Sequence, residues 1–308
     1  MRRCLIVFAL MLLIRPAAAA ERQPVHFGAV NIGHQIVLHY AEEGTGTPVV
    51  FVHGSLSEMT YWKDQVQAFA GRYRAIAYSR RYNFPNRNPA ISGYSAITDA
   101  EDLAAFIRSL HLGKVYVVGH SYGALTALYL AIRHPQLIRA MVLAEPPAVP
   151  LLQDVEGKER ARSLAMYADI QRRMVEPMQR DFRAGRREAG VADFIDYVFD
   201  NPDEWTKKFS AQDRAETMRD AHEWDVMMTR GTLFPPLPAR AVAGIAVPTL
   251  VMSGGKSYPF LAVIDRYLAT HIPHAQSIVF PDATHQMWMQ YPVQARAATE
   301  AFFARHPD

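Results

Sequence analysis

The pattern glycine–x–serine–x–glycine, over Gly119-His120-Ser121-Tyr122-Gly123, is the first feature of the chain with chemical content. An apolar run, residues 114–118 (KVYVV), precedes it, and residues 124–134 (ALTALYLAIRH) follow at helical spacing. A serine between a strand and a helix sits on a strained turn, where small flanking glycines relieve crowding. The adjacent helix N-terminus favours developing negative charge. A serine hydroxyl becomes a useful nucleophile only when a base takes its proton. That base is expected far downstream, and His285 fits, since it alone among the histidines lies between the last apolar strand-like run and the last helical stretch.

A nucleophile of this kind also needs donors for the oxyanion it creates. One is expected to be the backbone N–H of Tyr122, the residue after the serine. The other is expected from the loop that follows the apolar run at residues 48–52 (PVVFV), with the N–H of Ser55 in His53-Gly54-Ser55 as the candidate. A plain strand-ending turn is the alternative there, with His53 holding loop geometry.

These residues must be carried by a scaffold, and the pattern shows which. Strand-like runs at residues 35–40, 49–52, 74–78, 115–118, 141–144, 249–253 and 277–280 alternate with helical stretches at 58–70, 95–110, 122–134, 260–270 and 293–305. Such alternation predicts an α/β fold with a mostly parallel sheet covered by helices on both faces. The alternation breaks over residues 155–231, which are charged and helical in composition, and a helical cap inserted at about 150–235 is expected. Met166, Met174, Met178, Trp205, Trp224, Met227, Met228 and Phe234 are apolar residues of that insert. Most are expected to pack, and some to line a cleft for an at least partly apolar substrate. Trp288 and Met289 are further candidates for that cleft.

On these motifs the chain resembles the α/β-hydrolase superfamily over nearly all of residues 25–305. The resemblance implies an eight-stranded, mostly parallel sheet with a helical lid over the active site, and no cofactor; a covalent acyl-enzyme on Ser121 is the expected intermediate. Dehalogenases and epoxide hydrolases of this superfamily typically use an aspartate nucleophile, which Ser121 is not. The triad acid usually follows the strand-like run PTLVMSGG, near Ser257, yet no Asp or Glu occurs from Ile245 to Ile264. Some members place the acid after the strand that follows the nucleophile helix; that strand is MVLA here, and Glu145 comes next. Glu145 is therefore expected to orient His285, with Asp265 or an aspartate of the cap as the alternative. Many relatives also carry D-x-R-G-x-G-x-S where this chain has Ser79-Arg80-Arg81-Tyr82-Asn83. A structural loop packed by Arg80 is expected there in preference to substrate contact.

The first twenty of the 308 residues read differently from the rest. Arg2 and Arg3, an apolar run from Cys4 to Ile14 and small residues at Ala17 to Ala20 form a secretory signal peptide with cleavage expected after Ala20. A secreted or periplasmic location, with no stable membrane anchor, is expected. Removing the leader takes Arg2, Arg3 and Arg15, leaving 30 basic against 30 acidic residues, so nothing in the charge calls for a nucleic-acid partner. Cys4, the single cysteine, leaves with it, and no ligand spacing suggests a metal site. The expected function is hydrolysis of a carboxylic ester or related acyl substrate. Carbon–carbon bond hydrolysis, a perhydrolase reaction and a low-turnover ligand-binding protein are the alternatives on the same residues.

Overall fold

The computed structural model describes residues 25–307, so the expected leader at residues 1–20 lies outside the described residues. The described residues form an eight-stranded sheet from β1 (His26–Asn31), β2 (Val37–Glu43), β3 (Pro48–Val52), β4 (Arg74–Tyr78), β5 (Val115–His120), β6 (Ile138–Ala144), β7 (Thr249–Gly254) and β8 (Gln276–Phe280). Their spatial order is β1-β2-β4-β3-β5-β6-β7-β8. β1 and β2 run antiparallel to their neighbours, and the six from β4 to β8 pair in parallel. This is the α/β architecture expected from the alternation.

The apolar strands have two buried faces, as central parallel strands require. Side chains alternate across a strand, so each run feeds two cores. Val50, Val52, Ile76, Tyr78, Val117 and Leu143 join the core under the helices Ala96–Ser109, Tyr122–Arg133 and Pro259–His271. Val49, Phe51, Ala75, Ala77, Val118 and Val142 join the opposite core, under the helices Lys63–Phe69 and Pro292–Phe303. Trp62, Val66 and Phe69, the expected apolar face of residues 58–70, are buried in that second core. The segment divides, however, into a 3-10 turn at Met59–Trp62 and an α-helix at Lys63–Phe69.

Between β6 and β7 the chain is helical, with the helices Arg160–Ile170, Glu176–Arg183, Arg187–Val198, Ala211–Arg219 and Ala221–Arg230. Polar contacts fasten this segment to the loop after β4. Phe84 N–H donates to Asp220 Oδ1 at 2.7 Å, and Asn83 Nδ2 donates to Glu223 Oε2 at 3.1 Å. On the other side Tyr129 Oη donates to Pro235 O at 2.9 Å. Among the described residues no helix is long and apolar enough to cross a membrane.

Candidate active site

β5 ends at His120 and the next helix starts at Tyr122, so Ser121 carries the whole change of direction. Its φ of 53° and ψ of −125° are costly for a residue with a Cβ, on the order of 1–3 kcal/mol. Hydrogen bonds hold it there: Ser121 N–H donates to Ala144 O at 2.9 Å, and Ser121 O accepts from the Ala124 N–H at 2.9 Å. The flanking glycines are steric necessities. A Cβ on Gly119 would lie 2.6 Å from Ala124 Cα, and one on Gly123 would lie 2.2 Å from Val52 O. Close packing of β5, its helix and the end of β3 thus explains both glycines of the motif.

β6 ends at Ala144, and Glu145 follows with a φ of 50° and no solvent exposure. Its carboxylate is surrounded by donors. Oε1 accepts from the Gly254 N–H at 2.7 Å, and Oε2 accepts from Ser257 Oγ at 2.7 Å. The same Oε2 lies 2.5 Å from His285 Nδ1. A carboxylate oxygen accepts, so Nδ1 is the ring nitrogen that donates to Glu145, and Nε2 is the one turned away from it. Asp265, the alternative acid, is bonded elsewhere: its Oδ2 accepts from Ser253 Oγ at 2.7 Å. Burial, with Glu145 adding to it, pushes the Asp265 carboxyl well above the usual carboxylate range.

His120 supports His285 from below. Its Nε2 donates to the backbone carbonyl of His285 at 2.8 Å, and its ring stacks on Tyr61 with centroids 5.4 Å apart and planes 3° from parallel. Burial, reinforced by the neighbouring His285, lowers its pKa to about 3, so it serves as a neutral strut.

The loop after β3 is held by Arg80, which is fully buried. Arg80 Nη2 donates to Gly54 O at 3.0 Å and Nε to His53 O at 3.3 Å. His53 Nδ1 donates to the same Gly54 O at 2.8 Å, and His53 Nε2 accepts from the Arg80 N–H at 3.0 Å. Burial, with Arg80 beside it, holds the His53 pKa well below its ordinary value. In a trans peptide the carbonyl and the next N–H point opposite ways. Pinning Gly54 O toward Arg80 therefore turns the Ser55 N–H away from that side. Tyr122 is the first helical residue after Ser121, so its N–H has no intrahelical acceptor and sits at the positive end of the helix dipole.

The guanidinium is itself locked. Nη1 meets Asp99 Oδ2 at 2.9 Å, and both nitrogens of the fork engage Glu223 of the helix Ala221–Arg230. Arg80 lies over the Tyr122 ring, 4.9 Å from its centroid. It does not line the cavity described next, in keeping with a structural role for this loop.

A cavity of about 310 Å³ opens over the serine. Ser55, Ser121, Tyr122 and His285 all line it, and Glu145 lies behind His285. Of the eight apolar cap residues singled out in the sequence, Met174, Trp224 and Phe234 reach this wall, and the other five pack elsewhere. Trp288 is buried against Trp62 at 5.1 Å and Met289 faces solvent, so neither joins the cavity. The sequence did not single out Tyr61, Phe194 or Phe260 for this wall, because aromatics in the turn Met59–Trp62, a cap helix and the helix after β7 carry no chemical signature. Among the described residues no group of three or more His, Cys, Asp or Glu could hold a metal ion.

The profile of the alpha/beta hydrolase family matches residues 49–299. The chain is similar to the bifunctional epoxide hydrolase 2 of Sus scrofa, 26% identical over 188 residues, which cover 60% of this chain and 32% of that protein. It is 34% identical over 126 residues to the 2-(acetamidomethylene)succinate hydrolase of Mesorhizobium japonicum, covering 40% of this chain and 45% of the relative. The matched part thus spans about a third of one relative and under half of the other. Among solved structures, the enol-lactonase of Burkholderia xenovorans LB400 superposes with a TM-score of 0.68 at 20% identity, over 91% of this chain and all of the other. That likeness concerns the fold.

Proposed function

Because the chain belongs to the alpha/beta hydrolase family, we propose that it is a serine hydrolase of carboxylic esters or related acyl substrates, with Ser121, His285 and Glu145 as its triad. The observation that carries this reading is the bond between Glu145 Oε2 and His285 Nδ1 at the rim that holds Ser121. His285 Nε2 takes the Ser121 proton as Oγ attacks the acyl carbon. Glu145 fixes the tautomer and stabilises the imidazolium that forms. The N–H groups of Ser55 and Tyr122 receive the oxyanion, each such donor being worth about a hundred- to a thousandfold in rate. His285 then returns the proton to the leaving alkoxide, and water, activated by the same imidazole, releases the acid from Ser121.

The chemistry of epoxide opening favours a different nucleophile. A serine that opened an epoxide would be left as an alkyl ether, which water at this site could not cleave. An acyl ester on Ser121 is cleaved readily. Hydrolysis of para-nitrophenyl butyrate by the full chain, beside Ser121→Ala, tests the reading. Turnover that disappears in the variant supports it, and equal rates in both reject catalysis by Ser121. The leader-like residues 1–20 support placing this enzyme outside the cytoplasm, and a secreted product beginning at Glu21 is the expected mass-spectrometric result.

A further inference from the structure

His285 belongs to a series of aromatic rings that follow one another along the cavity wall. Tyr61 stacks on His120 with centroids 5.4 Å apart, and the His120 ring lies 4.6 Å from that of His285 at a tilt of 37°. Beyond His285 the series continues. Tyr258 lies 5.6 Å from it at a tilt of 53°, and Phe260 stacks on Tyr258 at 6.0 Å and 14°. His120 ends β5 and Tyr258 follows β7, so the two approach from strand ends on either side of β6, whose end carries Glu145.

Tyr258 is presented by a constrained backbone. Ser257, just before it, donates to Glu145 Oε2 at 2.7 Å. Pro259, just after it, opens the helix Pro259–His271 and restricts Tyr258 to extended backbone, at φ −64° and ψ 133°. The Tyr258 carbonyl accepts from the Leu261 and Ala262 N–H groups at 3.0 and 3.3 Å. Burial, with the Glu145 charge adding to it, pushes the Tyr258 hydroxyl up to about 12, so the ring beside His285 is uncharged at neutral pH. One loop thus touches both partners of the relay, Ser257 the acid and Tyr258 the base.

The terminal torsion of a histidine is broad, so one hydrogen bond at Nδ1 leaves the tilt of the ring, and with it the aim of Nε2, unsettled. Rings packed beside it remove that freedom and keep water from the bond to Glu145. As neutral π systems they also favour the imidazolium that forms when the Ser121 proton is taken. We propose that Tyr258 is a positioning residue for His285: its ring, acting with His120, sets the tilt at which Nδ1 meets Glu145 while Nε2 is aimed at Ser121. The proposal rests on the triad of the ester-hydrolase reading and adds to it a residue that makes and breaks no bond. Phe260 backs Tyr258 as Tyr61 backs His120.

Steady-state kinetics of the full-length protein on para-nitrophenyl butyrate test this with Tyr258→Leu, Tyr258→Met and Tyr258→Phe. Both ringless variants are expected to lower kcat by about tenfold or more with KM little changed, and Tyr258→Phe to stay within about twofold of the native chain. Because Tyr258 and Glu145 act through the same imidazole, Tyr258→Leu is expected to cost less than about threefold once Glu145 is already Gln. Native kcat in the ringless variants overturns the proposal. So does an equal loss in Tyr258→Phe, a loss confined to KM, or a loss that multiplies unchanged onto Glu145→Gln. Turnover that survives Ser121→Ala instead rejects the triad itself, and a second readout then decides without turnover. In protein labelled with 15N-histidine, the His285 Nδ1 proton, assigned by its loss in His285→Gln, is expected as a low-field resonance in the native chain and in Tyr258→Phe. It is expected to vanish by exchange with water in Tyr258→Leu. A resonance equally sharp in Tyr258→Leu, or none in the native chain, overturns the proposal.

Discussion

Ser257 Oγ and Glu145 Oε2 lie 2.7 Å apart, so the loop where this superfamily usually keeps its acid supplies a hydrogen bond to an acid placed one strand away. The carboxylate thus gains a third donor beside Gly254 and His285. Replacing Glu145 with Gln keeps the size but lets an amide face His285 Nδ1. kcat is expected to fall by about a thousandfold or more, with KM little changed. Ser257→Ala is expected to cost only about tenfold, since one hydrogen bond to the carboxylate is lost while the relay stays intact. Steady-state kinetics on a neutral aryl ester check both.

Arg80 is the tie between the loop after β3 and the cap. Arg80→Met strands Asp99 and Glu223 without a cation, and removing one partner of a buried pair typically costs about 3–5 kcal/mol. Urea unfolding is expected to show a loss on that scale, and kcat is expected to fall because Gly54 O loses one of its two donors, with only His53 Nδ1 left to hold it. The triple variant Arg80→Met, Asp99→Asn, Glu223→Gln is expected to recover most of the stability while leaving the kcat defect.

The same cluster predicts a pH signature. Burial, together with the charges of Glu223 and Asp102, outweighs Arg80 and raises Asp99 from 3.8 to about 7. A carboxyl whose folded value is raised holds a proton that the unfolded chain has released. Its contribution is therefore fully present below about pH 4 and is lost as pH rises through about 7. The unfolding free energy should decline over that window with a slope of up to about 1.4 kcal/mol per pH unit. Asp193 and Asp220, both raised to about 6 chiefly by burial, act in the same direction. The stability difference between Asp99→Asn and the native chain isolates the Asp99 share. It should grow from about pH 4 and level off above about pH 7.

Much of this site could be read before any coordinates, for physical reasons that differ by residue. Ser121 was legible because its turn needs a local signature, two glycines between a buried strand and an apolar helix. His285 was legible from chain order, and Glu145 from an acid missing at one strand end and present at the next. Arg80 and Glu223 stand 143 residues apart, and nothing local to either one announces the other. Tyr61 and Trp224 looked like ordinary core aromatics, and only the fold brings them to the cavity over Ser121. β1 was missed because its side chains alternate around exposed positions at a sheet edge, so its apolar pattern is weak.

The central claim is that Ser121 is a nucleophile activated by His285 and Glu145, and covalent labelling tests it without knowledge of the substrate. The full-length protein, treated with a fluorophosphonate and measured by intact mass and peptide mapping, is expected to gain one adduct, on the peptide holding Ser121. The labelling rate is expected to fall about a hundredfold or more in Glu145→Gln and to vanish in Ser121→Ala. Labelling that persists in Ser121→Ala, or a native chain that resists the probe altogether, would contradict the account.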